Sequence, residues 1–450
     1  MKKVFNAFFR SEYYLLFIAL FTILNWTLGF SPIISGTFIF VVYSAIVFTQ
    51  DDSSPLLALT IAALIMNIAR TDIHGLNNAE ILAELPLAYL ALLAVLIIVE
   101  SVYFLLRNFK FNSCWLLLGF IAIGVSMFLS GTNTNGVDVI FVYRHSDVLA
   151  YAVILFMYLI LSFTNNRVDN RYFAKTLLYM GTVIAFQVFS NYFDAHSPFD
   201  SLSVKWANTN TIALILVMII PVSAYSLLQD RINPIHVLLL FLQFLACLAT
   251  LSRGGIGVLI PTFIITLIYV FKKTKKKQKK LLVLYCLLSL VLITGLCVHS
   301  WDIVKIHAQH FLDTLIEEGI FDSSGRWDGP DPLYPKAIET FKNNRLLGEG
   351  TNYSASTDAV IGFYHSTVLD IMAKLGLVGC AAYGLHFIQK YFILLFRRNT
   401  FKTLVLFGMV GSGLYGLIDV SYFNFVYLFI LVLILGQAER SPREDLMLPF

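Results

Sequence analysis

Fourteen apolar runs, separated by short polar turns and one long polar stretch, limit what this chain can fold into. They fall at about 13–30, 33–49, 55–70, 85–106, 114–130, 148–164, 176–193, 209–228, 234–250, 255–271, 281–300, 366–396, 403–418 and 421–436. A helix needs about 20 apolar residues to cross a bilayer, so fourteen crossings consume roughly 280 residues. The composition allows for that. Of the 450 residues 58% are apolar and 13% charged, where a soluble domain carries about 45–50% and about 25%. A water-soluble domain, or a string of them, is excluded as the main architecture. The reading is an all-α polytopic membrane protein with about 12–14 transmembrane helices and one large extracytoplasmic loop. The range reflects the pairs 13–30/33–49 and 403–418/421–436, whose turns are short enough for re-entrant hairpins.

Charge placement orients the chain. With the N-terminus inside, 21 of the 32 lysines and arginines fall on the inner side, among them seven between Lys272 and Lys280; nine fall outside. That excess predicts cytoplasmic N- and C-termini. The lysine run reads as a topology anchor against anionic inner-leaflet lipid. The expected organisation is 1–300 as N-terminal membrane helices (about 11), 301–365 as the large extracytoplasmic loop, and 366–450 as C-terminal membrane helices with a short cytoplasmic tail. The basic N-terminal residues and the run after them lack a small-x-small cleavage site and read as an uncleaved first helix. The five cysteines, Cys114, Cys247, Cys286, Cys297 and Cys380, have no paired spacing, which argues against a disulfide framework or a zinc site.

A transporter is expected to keep charges near the middle of its spans, and here such charges are sparse: Lys374, Lys390 and Asp419 are the main ones. Polar residues concentrate on the outer side. Leu251-Ser252-Arg253-Gly254-Gly255 is a tight turn where an arginine either aims its planar fork at a phosphate or snorkels to the headgroups. The loop from Trp301 is too long for a bare connector. It carries His307 and His310 three apart, a weak metal pair that fits a solvated surface helix better. Ser323-Ser324-Gly325-Arg326-Trp327, a short amphipathic stretch through Lys342, and Leu346-Leu347-Gly348-Glu349-Gly350 follow. Phe363-Tyr364-His365-Ser366-Thr367 then opens a run that as one helix would be ~46 Å long, against ~30 Å of hydrocarbon. Its first turns are therefore expected above the apolar core, with His365 at the membrane mouth. There it serves either as a base near neutral pH or as a structural residue.

Taken together, Ser252-Arg253-Gly254, Gly325-Arg326-Trp327, Leu347-Gly348-Glu349-Gly350 and His365-Ser366-Thr367 through Leu375-Gly376-Leu377-Val378-Gly379 resemble the O-antigen ligase and polymerase family of bacterial membrane glycosyltransferases. The resemblance covers roughly residues 245–395. Ser366 stands where the family often has asparagine, and Lys374 where it often has an acidic residue. The resemblance implies metal-independent transfer of a glycan from an undecaprenyl-pyrophosphate carrier to a sugar hydroxyl at the outer face of the bacterial cytoplasmic membrane. No cofactor, metal or nucleic acid is expected. The acceptor is either another lipid-linked glycan (polymerase) or a lipid core (ligase), and membrane lipid and a polysaccharide-assembly complex are further expected partners. By the family's pattern His365 is the general base, and Arg253 and Arg326 stabilise the leaving pyrophosphate. Arg144, Lys342 and Tyr364 are weaker candidates for holding pyrophosphate or glycan. The competing reading is a lipid-linked oligosaccharide flippase, which predicts a charged central cavity, two similar halves and short external loops.

Overall fold

The computed structural model describes residues 2–66, 87–110, 112, 114–132, 146–164, 168–194, 203–204, 206–229, 231–318, 326–327, 332–351, 353–354, 359–360, 363–396 and 398–442. Among them the helices are, in chain order, α1 (Lys2–Phe9), α2 (Glu12–Leu28), α3 (Pro32–Thr49), α4 (Ser54–Ile65), α5 (Leu87–Asn108), α6 (Leu117–Gly131), α7 (Ser146–Thr164), α8 (Asn170–Asp194) and α9 (Thr209–Ser223). They continue as α10 (Pro234–Ala249), α11 (Arg253–Lys273), α12 (Lys276–His299), α13 (Trp301–Glu318), α14 (Leu333–Asn343), α15 (Thr367–Leu395), α16 (Thr400–Tyr415) and α17 (Phe425–Arg440). The strands β1 (Tyr353–Ser354) and β2 (Ala359–Val360) form a small antiparallel hairpin. Every apolar run coincides with a helix, and α1, α13 and α14 are additional. Among the described residues seven helices are long and apolar enough to cross a membrane on those grounds alone, and five more are shorter apolar helices. The chain is an all-α polytopic membrane protein.

The sequence marks its own helix ends. Ser31 accepts the Ile34 N–H before Pro32 opens α3, and Asn233 accepts the Ile235 N–H before Pro234 opens α10. Asn399 and Asn424 do the same for α16 and α17. Each cap satisfies a helix-terminal N–H that would otherwise lack a partner where water is scarce. The connections differ from expectation at the C-terminal end. The run pair 403–418/421–436 suggested a two-residue turn, but α16 stops at Tyr415 and α17 starts at Phe425, leaving a nine-residue connection.

The chain divides into two compact units. One comprises Met1–Asn112 and Ile160–Phe311, and its centre is α9, in which every residue from Thr211 to Ser223 is buried. A helix apolar all round belongs in a core, whereas α12 of the same unit leaves most of its apolar side chains exposed. Glu12 at the start of α2 joins Lys175 of α8 and His236 of α10, the last at 3.3 Å, into a polar tie among three helices. The other unit comprises Ser113–Leu159 and Leu312–Phe450, and its buried centre is α17, from Tyr427 to Ala438.

The run 366–396 is not one straight helix. Gly376, at φ 62° and ψ −157°, splits α15 into two arms. The second arm, residues 377–395, is about 28 Å long, close to the hydrocarbon thickness by itself. The excess length noted in the sequence thus lies in the first arm, on the far side of the break.

Between helices in lipid, packing replaces water-driven burial. Leu216→Ala in α9 is therefore expected to cost on the order of 1–3 kcal/mol, the share of a core truncation that comes from lost packing. Leu292→Ala on the lipid-facing side of α12 should cost little. Thermal unfolding of the purified protein in detergent compares the two.

Candidate functional site

The break at Gly376 is filled by another part of the chain. Interrupting the helix frees the carbonyls of Ala373 and Lys374 and the N–H groups of Leu377 and Val378. The segment Arg345–Gly350 meets all four. Glu349 N–H donates to Ala373 O at 2.9 Å and Gly350 N–H to Lys374 O at 3.1 Å; Leu377 N–H donates to Arg345 O at 2.8 Å and Val378 N–H to Leu346 O at 3.2 Å. Ser130 of α6 adds a 2.5 Å bond from its hydroxyl to Lys374 O. The approach is backbone on backbone. A Cβ on Gly348, at φ 72°, would lie 2.2 Å from the Lys374 carbonyl carbon, and one on Gly376 would lie 2.6 Å from Gly348 N. Only glycine fits either place.

Docking this segment brings α14 onto the first arm of α15. Ala337, Tyr364 and Ala373 form a small buried core with Leu333 and Leu369 packed against it. Tyr364 is a wall of that core: its hydroxyl is 3.2 Å from Thr340 Oγ1, and its N–H donates to Asp370 Oδ1 at 3.2 Å.

His365 follows at φ 52°, a left-handed conformation that a histidine adopts rarely. Its carbonyl accepts from the Tyr334 hydroxyl at 3.3 Å, and its Nδ1 lies 3.3 Å from Asp419 Oδ1. The imidazole is 41% exposed and the carboxylate 12%, so the carboxylate sits behind the ring and the ring faces out. With Asp419 at Nδ1, Nε2 is the ring nitrogen on the opposite side of the imidazole. Asp419 itself lies in the nine-residue connection between α16 and α17. Its Oδ1 accepts the Val420 N–H at 2.7 Å, its Oδ2 is 3.4 Å from the Tyr415 hydroxyl, and its carbonyl accepts from the Thr367 hydroxyl at 3.1 Å.

Arg326 reaches the same connection. Its guanidinium donates to the Ile418 carbonyl at 2.6 Å, one residue before Asp419. Tyr334 links the two sides: its N–H donates to Arg326 O at 2.9 Å while its hydroxyl holds His365 O, and Trp327 meets its ring edge-on at 5.2 Å. Arg326 and His365, 39 residues apart in sequence, are thus gathered around Asp419 and Tyr334, with Tyr364 beside His365 in the same unit. Neither of those two was among the expected site residues. Asp419 had a legible signal, being an acidic residue in the turn between two apolar runs on the loop's side of the predicted topology. Tyr334 had none.

The other expected residues fall differently. Arg253 belongs to the other unit, where it opens α11. Ser252 caps that helix by accepting the Gly255 N–H at 3.3 Å, Leu251 before it has φ 55°, and a Cβ on Gly255 would meet Ala213 Cβ of α9 at 2.6 Å. The Ser-Arg-Gly-Gly run is thus a capped helix start in close contact with α9. Lys342 is exposed on the last turn of α14. Arg144 lies outside the described residues.

His307, read as part of a solvated surface helix, is instead buried, its ring 4.6 Å from that of Tyr192. Its neighbours Lys305, Ile306, Ala308 and Gln309 are exposed, so the helix is solvated on one side only. Among the described residues no group of three or more His, Cys, Asp or Glu is arranged to hold a metal ion. The two mid-span lysines are packed. Lys374 pairs with Asp370 at 3.4 Å, and Lys390 donates to the Tyr422 hydroxyl at 3.1 Å against the ring of Phe387.

Gly348→Ala is expected to cost at least the ~1–3 kcal/mol of a side chain held at positive φ, with the carbonyl clash in addition. The readout is loss of monodisperse protein on size exclusion and a lowered Tm, with Gly384→Ala, where a Cβ meets nothing, unchanged.

Residues 238–384 match the family model described as O-Antigen ligase. The matched stretch contains Arg253, Arg326, Lys342, Tyr364 and His365, and leaves Asp419 outside. No curated protein matches the chain.

Proposed function

We propose that this chain, whose residues 238–384 match the O-antigen ligase model and whose apolar helices suit a multi-pass inner-membrane protein, is a glycosyltransferase of the O-antigen ligase or polymerase type, and that its residues carry the transfer as follows. The donor is a glycan on undecaprenyl pyrophosphate and the acceptor is a sugar hydroxyl. His365 Nε2 takes the acceptor's proton as the hydroxyl oxygen attacks C1 of the donor sugar. The C1–O bond breaks, its electron pair leaves with the undecaprenyl pyrophosphate, and the proton stays on the imidazole. Asp419 at Nδ1 fixes the ring and its tautomer and stabilises the imidazolium, as a carboxylate does behind a catalytic histidine. The observation that carries this reading is the His365–Asp419 pair, with the ring exposed and the carboxylate behind it.

Negative charge grows on the pyrophosphate as the bond breaks. An arginine aimed at that charge stabilises the transition state more than the ground state. Arg326 takes this role, its guanidinium anchored beside Asp419 through the Ile418 carbonyl. Arg253, in its own unit, is assigned the same role by the family resemblance, and Lys342 and Arg144 hold glycan or pyrophosphate. Tyr364, buried in the α14–α15 core, supports the histidine from behind. The site operates on the extracytoplasmic side with 301–365 as the outer loop, both termini being cytoplasmic, and the reaction uses no metal. The flippase reading loses support from Lys374 and Lys390, which are packed against a carboxylate and aromatic rings.

With purified protein in lipid and an undecaprenyl-pyrophosphate-linked repeat unit, product length on a gel reports the reaction. His365→Ala is expected to lower kcat by about 10²–10⁴-fold, the usual share of a general base. Asp419→Asn should lower it by about 10²-fold or more with KM little changed, and Arg326→Ala should lower kcat as well. Chain growth by the wild type with EDTA present marks a metal-independent polymerase, and growth that requires a lipid-core acceptor marks a ligase. Movement of the substrate across the bilayer without a new glycosidic bond overturns the proposal.

Sidedness has its own test. On a cysteine-free background, Lys342→Cys is expected to react with a membrane-impermeant maleimide in intact spheroplasts, and Lys277→Cys only after lysis.

A further inference from the structure

Inside the first arm of α15, Asp370 and Lys374 form an ion pair at 3.4 Å with both side chains almost wholly buried, 0% and 1% exposed. Removing two charges from water is costly, and apolar side chains of similar size commonly fold as well or better in such a place. What the pair supplies beyond stability is visible in its other contacts. Asp370 Oδ1 also accepts the N–H of Tyr364, the residue before His365, at 3.2 Å. Lys374 Nζ lies 4.1 Å from the ring centre of Phe363, two residues before His365, and 5.3 Å from that of Phe423, four residues after Asp419. A cation over an aromatic face is held there electrostatically, more strongly where water is absent. One buried ammonium therefore grips both chain segments that supply the histidine and its carboxylate. Asp370 meanwhile fixes the peptide that enters the left-handed turn at His365.

We propose that Asp370 and Lys374 are positioning residues: they register the segment 363–365 against the connection 416–424 and so set the distance and angle of the His365–Asp419 pair. The inference rests on the reading of that pair as the base and its orienting carboxylate. Among the described residues, the charged groups on the segments that hold the imidazole are Asp419 from the α16–α17 connection, Asp370 and Lys374 from α15, and Arg326 from the loop.

The test replaces the pair by apolar residues of similar size, Asp370→Leu with Lys374→Met, and adds Asp370→Glu, which keeps the charge and moves the carboxylate by one methylene. Glycan transfer, Tm and the titration of His365 are measured for each. The histidine is followed by NMR of 13C-labelled imidazole and assigned by its loss in His365→Ala. The expected result is a double variant with Tm near wild type and kcat lower by about 10²-fold, the effect of an ångström-scale misplacement. Its KM should be little changed, and its His365 titration and the matching limb of the kcat–pH profile displaced. Asp370→Glu should show the same displacement with a smaller loss of kcat.

An unchanged kcat and an unchanged His365 titration in a folded double variant overturn the proposal. If the double variant does not fold, Asp370→Glu decides: a pair that only stabilises leaves the titration and kcat as they were. Full activity in His365→Ala instead overturns the assignment of the base. The NMR titration then still reports whether the pair positions the ring, so the two failures are separable.

Discussion

A hydrocarbon environment offers no partner for a peptide group that leaves the helical ladder, and this constraint governs the architecture of the candidate site. Gly376 interrupts α15 inside an apolar run. The two carbonyls and two N–H groups so exposed are tolerated only where protein meets them. The segment Arg345–Gly350 meets them one for one. A broken membrane helix and a loop that docks into the break are therefore a single structural unit, and neither half makes sense alone. Everything that follows in the site is hung from it. Docking fixes α14, α14 carries Tyr334, and Tyr334 ties the backbone of Arg326 to that of His365.

The same logic explains why two glycines are needed and where they must be. Gly348 and Gly376 lie on the two partners of one contact, each at positive φ and each with its missing Cβ occupied by the other's chain. In the sequence they look like two unrelated Leu-Gly motifs separated by a polar loop. Their relation is a long-range one between backbones. Hydropathy and turn propensity, which are local, do not encode it.

The fold was more legible than the site for that reason. Helix position depends on runs of apolar side chains and on caps such as Ser31-Pro32 and Asn233-Pro234, all readable along the chain, and each apolar run became a helix. The length excess of 366–396 was legible too, but its resolution as a break at Gly376 was not. Of the site, His365 could be picked out as a titratable residue at the expected membrane mouth and Arg326 through the family resemblance, and the structure gathers them in one unit. Asp419, in the gap between the runs 403–418 and 421–436, was grouped with the mid-span charges. The connection is nine residues long, and its carboxylate belongs to the histidine. Tyr334 acts mainly through its hydroxyl and backbone N–H, which no residue pattern announces.

The division of labour between the two buried acids follows from what each faces. Asp419 accepts from Val420 N–H and sits at Nδ1 of an imidazole that is 41% exposed. Asp370, fully buried, faces Tyr364 N–H and a lysine that is itself enclosed by aromatic rings. The first carboxylate has a partner that is open to solvent, as the proposed acid–base role requires. The second has a partner that is itself buried, and no outlet. An ion pair without an outlet to solvent adds little stability over apolar side chains of similar size, and the use proposed for Asp370 and Lys374 is to hold geometry. A histidine at positive φ, whose approach and whose carboxylate come from two separate segments, is the kind of geometry that needs it.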